Sequence, residues 1–306
     1  MQDIYFPSHD GQTKIHVCIW KPEGEIKGVV QIIHGMCEYA ARYDEFAQFL
    51  TEQGFLVVAD DHLGHGQSVK SSENLGYFND ARSTDMVIAD IRSLHLAVKK
   101  HTEGLPYFIL GHSMGSFFCR KYISLYGGEF NGAVIMGSGF KSRLTLETAL
   151  LLVKINALFR GWRNRSKFIK KLAFGSYNKK FKPARTANDW LSVNTENVDK
   201  YNADELCNYS FTNNGYAILF GIIKQACDKE TIQAVDKDLP VYFVAGADDP
   251  VGDYGKGVKK AKDKFVAAGV KDVKITLYEG GRHEILNDDC KEKVKSDLLE
   301  FFREHM

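Results

Sequence analysis

The sequence predicts an α/β fold, a mostly parallel sheet with helices on both faces and a helical insertion. Three observations predict it. Short apolar runs alternate with longer amphipathic stretches over the first half of the chain, the order that builds a buried parallel sheet. The alternation stops near Phe140 and resumes at Val241, leaving about a hundred residues, 141–240, outside the sheet pattern. A Gly-x-Ser-x-Gly segment sits where one apolar run gives way to a helical one.

The elements follow in order. Ile4–Phe6 and Thr13–Trp20 read as two strands joined by a turn at His9-Asp10-Gly11. Val29–Ile33, Phe55–Ala59, Tyr107–Leu110 and Ala133–Met136 read as buried strands, with amphipathic Tyr43–Gln53 and Ala89–Lys100 between them. After the interruption, Val241–Val244 and Lys274–Tyr278 read as strands, and Tyr254–Ala268 and Asp289–Arg303 as helices. A structureless loop as long as the interruption would be out of place in a compact domain. Helical periodicity over Leu144–Phe159 makes it a helical cap instead. The expected division is a core of residues 1–140 and 241–306 and a cap of residues 141–240.

Composition sets bounds. The 306 residues are 44% apolar and 26% charged, enough apolar content for a large buried sheet. A net charge of +1 names no partner, and no nucleic-acid-binding motif is present. Met1–Ser8 has no targeting character, and no apolar run reaches the roughly 20 residues of a membrane span. A cytoplasmic protein is expected. The six cysteines are scattered without Cys-x-x-Cys spacing, which favours free thiols over disulfides or a zinc site.

The chemistry starts at Gly111-His112-Ser113-Met114-Gly115. Between a strand and a helix, this pattern is a nucleophile elbow, in which small residues flank a serine on a strained turn. A glycine-rich turn whose serine merely caps a helix is the alternative. A serine nucleophile needs a base, and the base needs an orienting group. With an elbow serine the partners follow in the order Asp or Glu, then His. Only His283 and His305 lie beyond Ser113, and His305 is penultimate, where fraying is expected. His283, in a glycine-containing loop after a strand, is therefore the expected base. Asp248, Asp249 and Asp253 follow the preceding strand, and Asp249 is preferred because Pro250 fixes the backbone beside it.

An oxyanion needs two amide donors. Met114 N–H, just after the nucleophile, and Met36 N–H, in His34-Gly35-Met36-Cys37-Glu38, are the candidates, with Gly35 allowing close backbone approach. Cys37 has no base partner at a suitable spacing.

With these residues in place the chain resembles the monoacylglycerol lipase and bacterial lysophospholipase branch of the α/β-hydrolases, the serine aminopeptidase-like family. The likeness is carried by His34 to Glu38 with Arg42-Tyr43, by Asp61-His62-Leu63-Gly64-His65-Gly66-Gln67-Ser68, by the elbow, by Gly246 to Asp249 and by Gly281-Arg282-His283-Glu284. It continues through Phe174 to Asn178, Asp189 to Ser192 and Val198 to Tyr201. The resemblance implies an α/β-hydrolase fold with an eight-stranded sheet, its second strand antiparallel, and a cap over the active site. It also implies a serine carboxylic ester hydrolase acting on a lipid with one acyl chain. Two departures stand out: Ser116 replaces a usual glycine, and Glu205-Leu206-Cys207-Asn208 lacks the usual proline and glycine.

An acyl chain needs an apolar tunnel. The cap offers Leu144, Leu146, Leu150, Leu151, Val153, Ile155, Leu158 and Phe159; Gly35, Leu150, Leu151 and Ile155 are the expected substrate contacts. Eleven Lys and Arg residues from Lys154 to Arg185, with no acid among them and aromatics between, suit an anionic membrane surface or a lipid phosphate. The expected partners are a small lipid or ester, with peripheral membrane contact through the basic cap and no nucleic acid. The chemistry calls for no metal and no organic cofactor. A short-chain or aryl esterase or thioesterase, and a non-catalytic sensor on the same scaffold, are the competing expectations.

Overall fold

The structure, a computed structural model, describes residues 1–306. Eight strands form one sheet: β1 (Gln2–Pro7), β2 (Lys14–Trp20), β3 (Gly28–Ile33), β4 (Phe55–Asp60), β5 (Tyr107–His112), β6 (Gly132–Met136), β7 (Val241–Gly246) and β8 (Val273–Tyr278). Their spatial order is β1-β2-β4-β3-β5-β6-β7-β8. β2 runs antiparallel to both neighbours, and β3 to β8 pair in parallel. The α/β-hydrolase sheet is thus present, with the expected second strand reversed.

Helices α1 (Asp44–Glu52) and α10 (Lys291–Glu304) cover one face; α2 (Thr84–His101), α3 (Met114–Tyr126) and α9 (Lys256–Ala267) cover the other. The strands from β3 to β7 bury every residue, because helices shield both faces and no polar side would be solvated. That is why they appear in the sequence as unbroken apolar runs. The strands extend one or two residues beyond the apolar runs, since backbone pairing continues past the last large side chain.

Between β6 and β7 lie no strands but five helices: α4 (Arg143–Arg160), α5 (Lys167–Phe174), α6 (Thr195–Ala203), α7 (Asn213–Cys227) and α8 (Lys229–Gln233). Local chemistry starts four of them. Ser142, Ser166, Asn194 and Thr212 each accept an N–H of the first turn with the side chain, which satisfies an otherwise orphaned donor. The insertion shares its apolar interior with the core: Leu146, Val153, Ile169 and Tyr216 belong to the same buried cluster as Phe117 and Phe243. Buried Arg120 on α3 donates to the carbonyls of Gly139 (2.8 Å) and Ala226 (2.7 Å), tying the entry to the insertion and the last turn of α7 to one core helix. No helix is long and apolar enough to cross a membrane.

Candidate active site

The elbow geometry follows from its glycines. Ser113 has φ 53° and ψ −119°, a strained conformation for a residue with a β-carbon. A Cβ on Gly111 would lie 2.4 Å from the Gly115 carbonyl oxygen, and one on Gly115 would lie 2.0 Å from that of Ile33. No larger residue fits either position. Ser113 occupies the N-cap of α3 but its side chain caps nothing. Its hydroxyl instead donates to His283 Nε2 at 2.8 Å, which rules out the plain capping role.

His283 completes the array. Its Nδ1 donates to Asp249 Oδ2 at 2.9 Å. Asp249 is fully buried, and its other oxygen accepts the Val251 N–H at 2.8 Å. Asp248 and Asp253 take no part. The three side chains come from the C-terminal ends of β5, β7 and β8, where parallel sheets place their ligand crevices. His305, expected to fray, is instead held by Asp272 (3.1 Å) and the Phe301 carbonyl (2.8 Å), away from this site.

Behind the serine lies a buried charge network to which the sequence reading assigned no role. Glu38 accepts from Gly35 N–H (2.5 Å), His112 Nδ1 (2.8 Å), Tyr43 Oη (3.0 Å) and Arg42 (3.1 Å). Arg42 in turn forms a two-pronged pair with Glu284, both bonds 2.8 Å, and Glu284 accepts from Asn197 of α6. Burial pushes the Glu38 carboxyl up, but His112 and Arg42 outweigh it and hold it well below the usual range. Burial pulls His112 down, and Glu38 more than reverses this. The network connects the Met36 loop, His112 beside Ser113, Glu284 beside His283 and the insertion. Glu38, Arg42 and Glu284 were visible as family-like residues; their mutual pairing across 242 positions was not.

A cavity of about 940 Å³ opens above Ser113. Met36, Met114, Ser113 and His283 lie at its floor, and Phe174, Trp190, Leu219, Phe220 and Ile223 supply apolar wall. Trp190 packs against His283, with ring centroids 5.0 Å apart and the planes tilted by 41°. The expected substrate contacts need correction. Leu150, Leu151 and Ile155 do not line the cavity. Helix α4 has three faces: Val153 and Ala157 point inward, Leu144, Thr145, Leu146, Thr148, Ala149 and Leu152 face the cavity, and Leu151 and Ile155 turn outward. Leu150 is half-buried against the core instead. Gly35 stands beside the site, where a Cβ would lie 2.5 Å from Glu38 Oε1 and 3.0 Å from the Ser113 Cβ. The wall from α7 was missed because nothing local marks its apolar residues as cavity-facing.

The two sequence departures have local causes. Ser116 Oγ donates to the Ser113 carbonyl at 2.6 Å, so its hydroxyl is satisfied inside the elbow. Asn208 adopts φ 49°, a left-handed conformation that asparagine tolerates better than most residues. Cys37 is buried and bonded to the Tyr209 carbonyl, and burial pushes its thiol up, so it is no rival nucleophile.

The comparisons with known proteins agree with this geometry. A family model described as "Serine aminopeptidase, S33" matches residues 24–290. The chain belongs to this family. The monoacylglycerol lipase of Mycolicibacterium smegmatis is 28% identical over 301 residues, 97% of this chain and 95% of the relative. The human monoglyceride lipase is 27% identical over 297 residues, covering 96% and 88% of the two chains. A thermostable carboxyl esterase from Bacillus coagulans, solved with glycerol, superposes with a TM-score of 0.92 at 29% identity, covering 99% of this chain and 98% of that one. This member of the S33 family is a serine hydrolase of α/β-hydrolase fold.

Proposed function

We propose that the protein hydrolyses carboxylic esters of lipids bearing a single acyl chain, with Ser113 as nucleophile, His283 as general base and Asp249 as its orienting partner. The observation that carries this reading is the continuous array from Asp249 through His283 to Ser113, opening into a large apolar-walled cavity. His283 takes the Ser113 proton as Oγ attacks the ester carbonyl. Met36 and Met114 N–H groups receive the oxyanion; Met114 is the first residue of α3, whose leading amides have no partner within the helix. His283 protonates the departing alcohol, and water then attacks the acyl-enzyme with His283 again as base. The relatives named as monoacylglycerol and monoglyceride lipases support the substrate class.

Peptide cleavage fits the cavity less well than the family's description suggests. The acids lining it, Glu38 and Glu284, are both committed to Arg42, so neither is free for a peptide ammonium. Lys141, Lys167, Lys170 and Lys171 line it as well. They favour a second reading within the same class, a lysophospholipid whose phosphate rests on the lysines. Leu151, Ile155, Leu158 and Phe159 of α4, with Phe168 of α5, stand exposed on the same two helices, outside the cavity. We assign this face to peripheral contact with an anionic bilayer.

Purified protein is assayed on monoacylglycerols, lysophospholipids and a p-nitrophenyl ester series. Turnover that rises from two carbons to medium or long chains, with fluorophosphonate labelling lost in Ser113→Ala, is the expected result. A maximum at two carbons replaces the lipid reading with a short-chain esterase. No adduct on folded protein makes it a sensor.

A further inference from the structure

The outer hairpin brings together three ligand-type side chains that the sequence spacing hides. Asp3 on β1 pairs directly with Cys18 on β2, and His16, two residues earlier on β2, faces Tyr5. Alternation along the strands puts Asp3, His16 and Cys18 on one side of the hairpin. Asp3 Oδ1 lies 2.9 Å from His16 Nε2 and 3.8 Å from Cys18 Sγ. All three ligand atoms lie within 4.8 Å of one another.

The histidine is held as a metal-binding imidazole is held. Its Nδ1 meets Asp61 Oδ2 at 2.8 Å, and Asp61 is fully buried and anchored by the N–H groups of Ala40 (2.7 Å) and Gln67 (2.8 Å). A carboxylate on Nδ1 fixes the tautomer and leaves the Nε2 lone pair for a ligand. That lone pair faces a second carboxylate, so two acceptors confront each other unless a proton or a cation stands between them. A thiol beside them supplies a third, softer donor.

We propose that Asp3, His16 and Cys18 form a binding site for a divalent transition metal of the zinc type. One carboxylate oxygen, one imidazole nitrogen and one thiolate make a tetrahedral set with a single open position. His16 and Cys18 are buried and the Asp3 side chain is 47% exposed, so the ion enters from the Asp3 side and water fills the fourth place. The charges balance: the thiolate and carboxylate neutralise M²⁺ and the imidazole is neutral. Binding therefore releases the thiol proton and any proton held on Nε2. No redox change is involved. The ion has a structural use, because β1 exposes nearly all its side chains and pairs only with β2 at the sheet edge. A metal would clamp β1 to β2 and, through Asp61, to the loop after β4. The nucleophile lies on the far side of three strand pairings, so the clamp is distinct from the hydrolytic centre.

The test uses full-length protein stripped with a chelator, then titrated with Co²⁺ and, in competition with a chromophoric chelator, with Zn²⁺. One equivalent of Co²⁺ should bind with a thiolate-to-cobalt charge-transfer band and the intense visible bands of tetrahedral cobalt. Cys18→Ser should lose the charge-transfer band. Asp3→Asn, at an exposed position that does not endanger folding, should weaken Zn²⁺ binding at least about tenfold. Zn²⁺ should raise the Tm of the wild type, while ester turnover is the same in stripped and loaded protein. A missing thiolate band, a band that survives in Cys18→Ser, or wild-type affinity in Asp3→Asn would each overturn the site. None of these outcomes depends on what the active site hydrolyses.

Discussion

The sheet and the first two insertion helices use apolar residues in opposite ways. From β3 to β7 every residue is buried. On α4, Leu144, Leu158 and Phe159 are 75%, 80% and 79% exposed. Both stretches are apolar in sequence, yet one is enclosed and the other stands open. Soluble proteins seldom expose a contiguous apolar patch without a binding purpose. The core is closed by its own helices, while the outer α4–α5 face, proposed above for lipid contact, is open. Substitutions in the two regions should accordingly differ in what they damage.

The largest effect belongs to the core site. Asp249→Asn keeps the shape but presents an amide to His283 Nδ1 and favours the wrong tautomer. Turnover of a p-nitrophenyl ester should fall by about 10⁴-fold, with the melting temperature little changed. A loss below tenfold would remove Asp249 from the catalytic array.

Next comes the charge network behind the serine. Glu38→Gln leaves Arg42 with one fewer counter-charge and weakens the acceptor for Gly35 N–H and His112. Breaking a buried pair costs about 3–5 kcal/mol, to be read from denaturant unfolding. If Glu38 positions the site through Gly35 and His112, kcat should fall while KM moves little, and Glu38→Asp should recover part of the loss. Loss of stability with unchanged kcat would reduce Glu38 to a structural role.

Acid should distinguish the regions without any mutation. His34 is buried in the core beside His62, and burial, with His62 adding to it, pulls its pKa down to about 4. His95 falls to about 4 through burial and then Arg92. The unfolded rings take up protons near their ordinary value, so between that and 4 the unfolded state binds more protons and stability drops as pH falls. For His34 alone the loss approaches about 3 kcal/mol. Asp90, raised to about 6 mainly by burial, works the other way and offsets part of it. Unfolding free energy should thus decline steeply from pH 6.5 to 4 (both values from those shifts), and a flat profile would refute it.

What the sequence revealed follows the same division. The strands were legible because complete burial leaves unbroken apolar runs, and the elbow because Gly111 and Gly115 have no room for a Cβ. Asp249 could be chosen over Asp248 because Pro250 restricts its backbone. The Glu38–Arg42–Glu284 pairing was hidden, since nothing local signals a contact spanning the chain. The same holds for Asp3 with His16 and Cys18, whose meeting depends on strand register rather than spacing. On α4 an apolar tally could not separate three faces, so Leu151 and Ile155 were assigned to the cavity although they point away from it.

The smallest effect on the folded chain is expected on that outward face. Leu158→Ser with Phe159→Ser removes two side chains that touch little of the protein, so stability should change by no more than about 0.5 kcal/mol. Comparable truncations in the sheet, such as Ile109→Ala, should cost about 2–5 kcal/mol, because a fully enclosed side chain leaves a cavity behind. The same double variant should sediment several-fold less with vesicles of mixed neutral and anionic lipid, while turnover of a soluble short ester stays at the wild-type level. Raising salt should weaken wild-type sedimentation as well, since Lys154, Arg160, Lys167, Lys170 and Lys171 flank the apolar patch and surface charges are screened within about 10 Å at 0.1 M salt. If the variant sediments as the wild type does, the exposed face of α4 serves something other than a lipid surface. If it instead loses several kcal/mol of stability, then α4 is packed like the sheet and the contrast between the two regions fails.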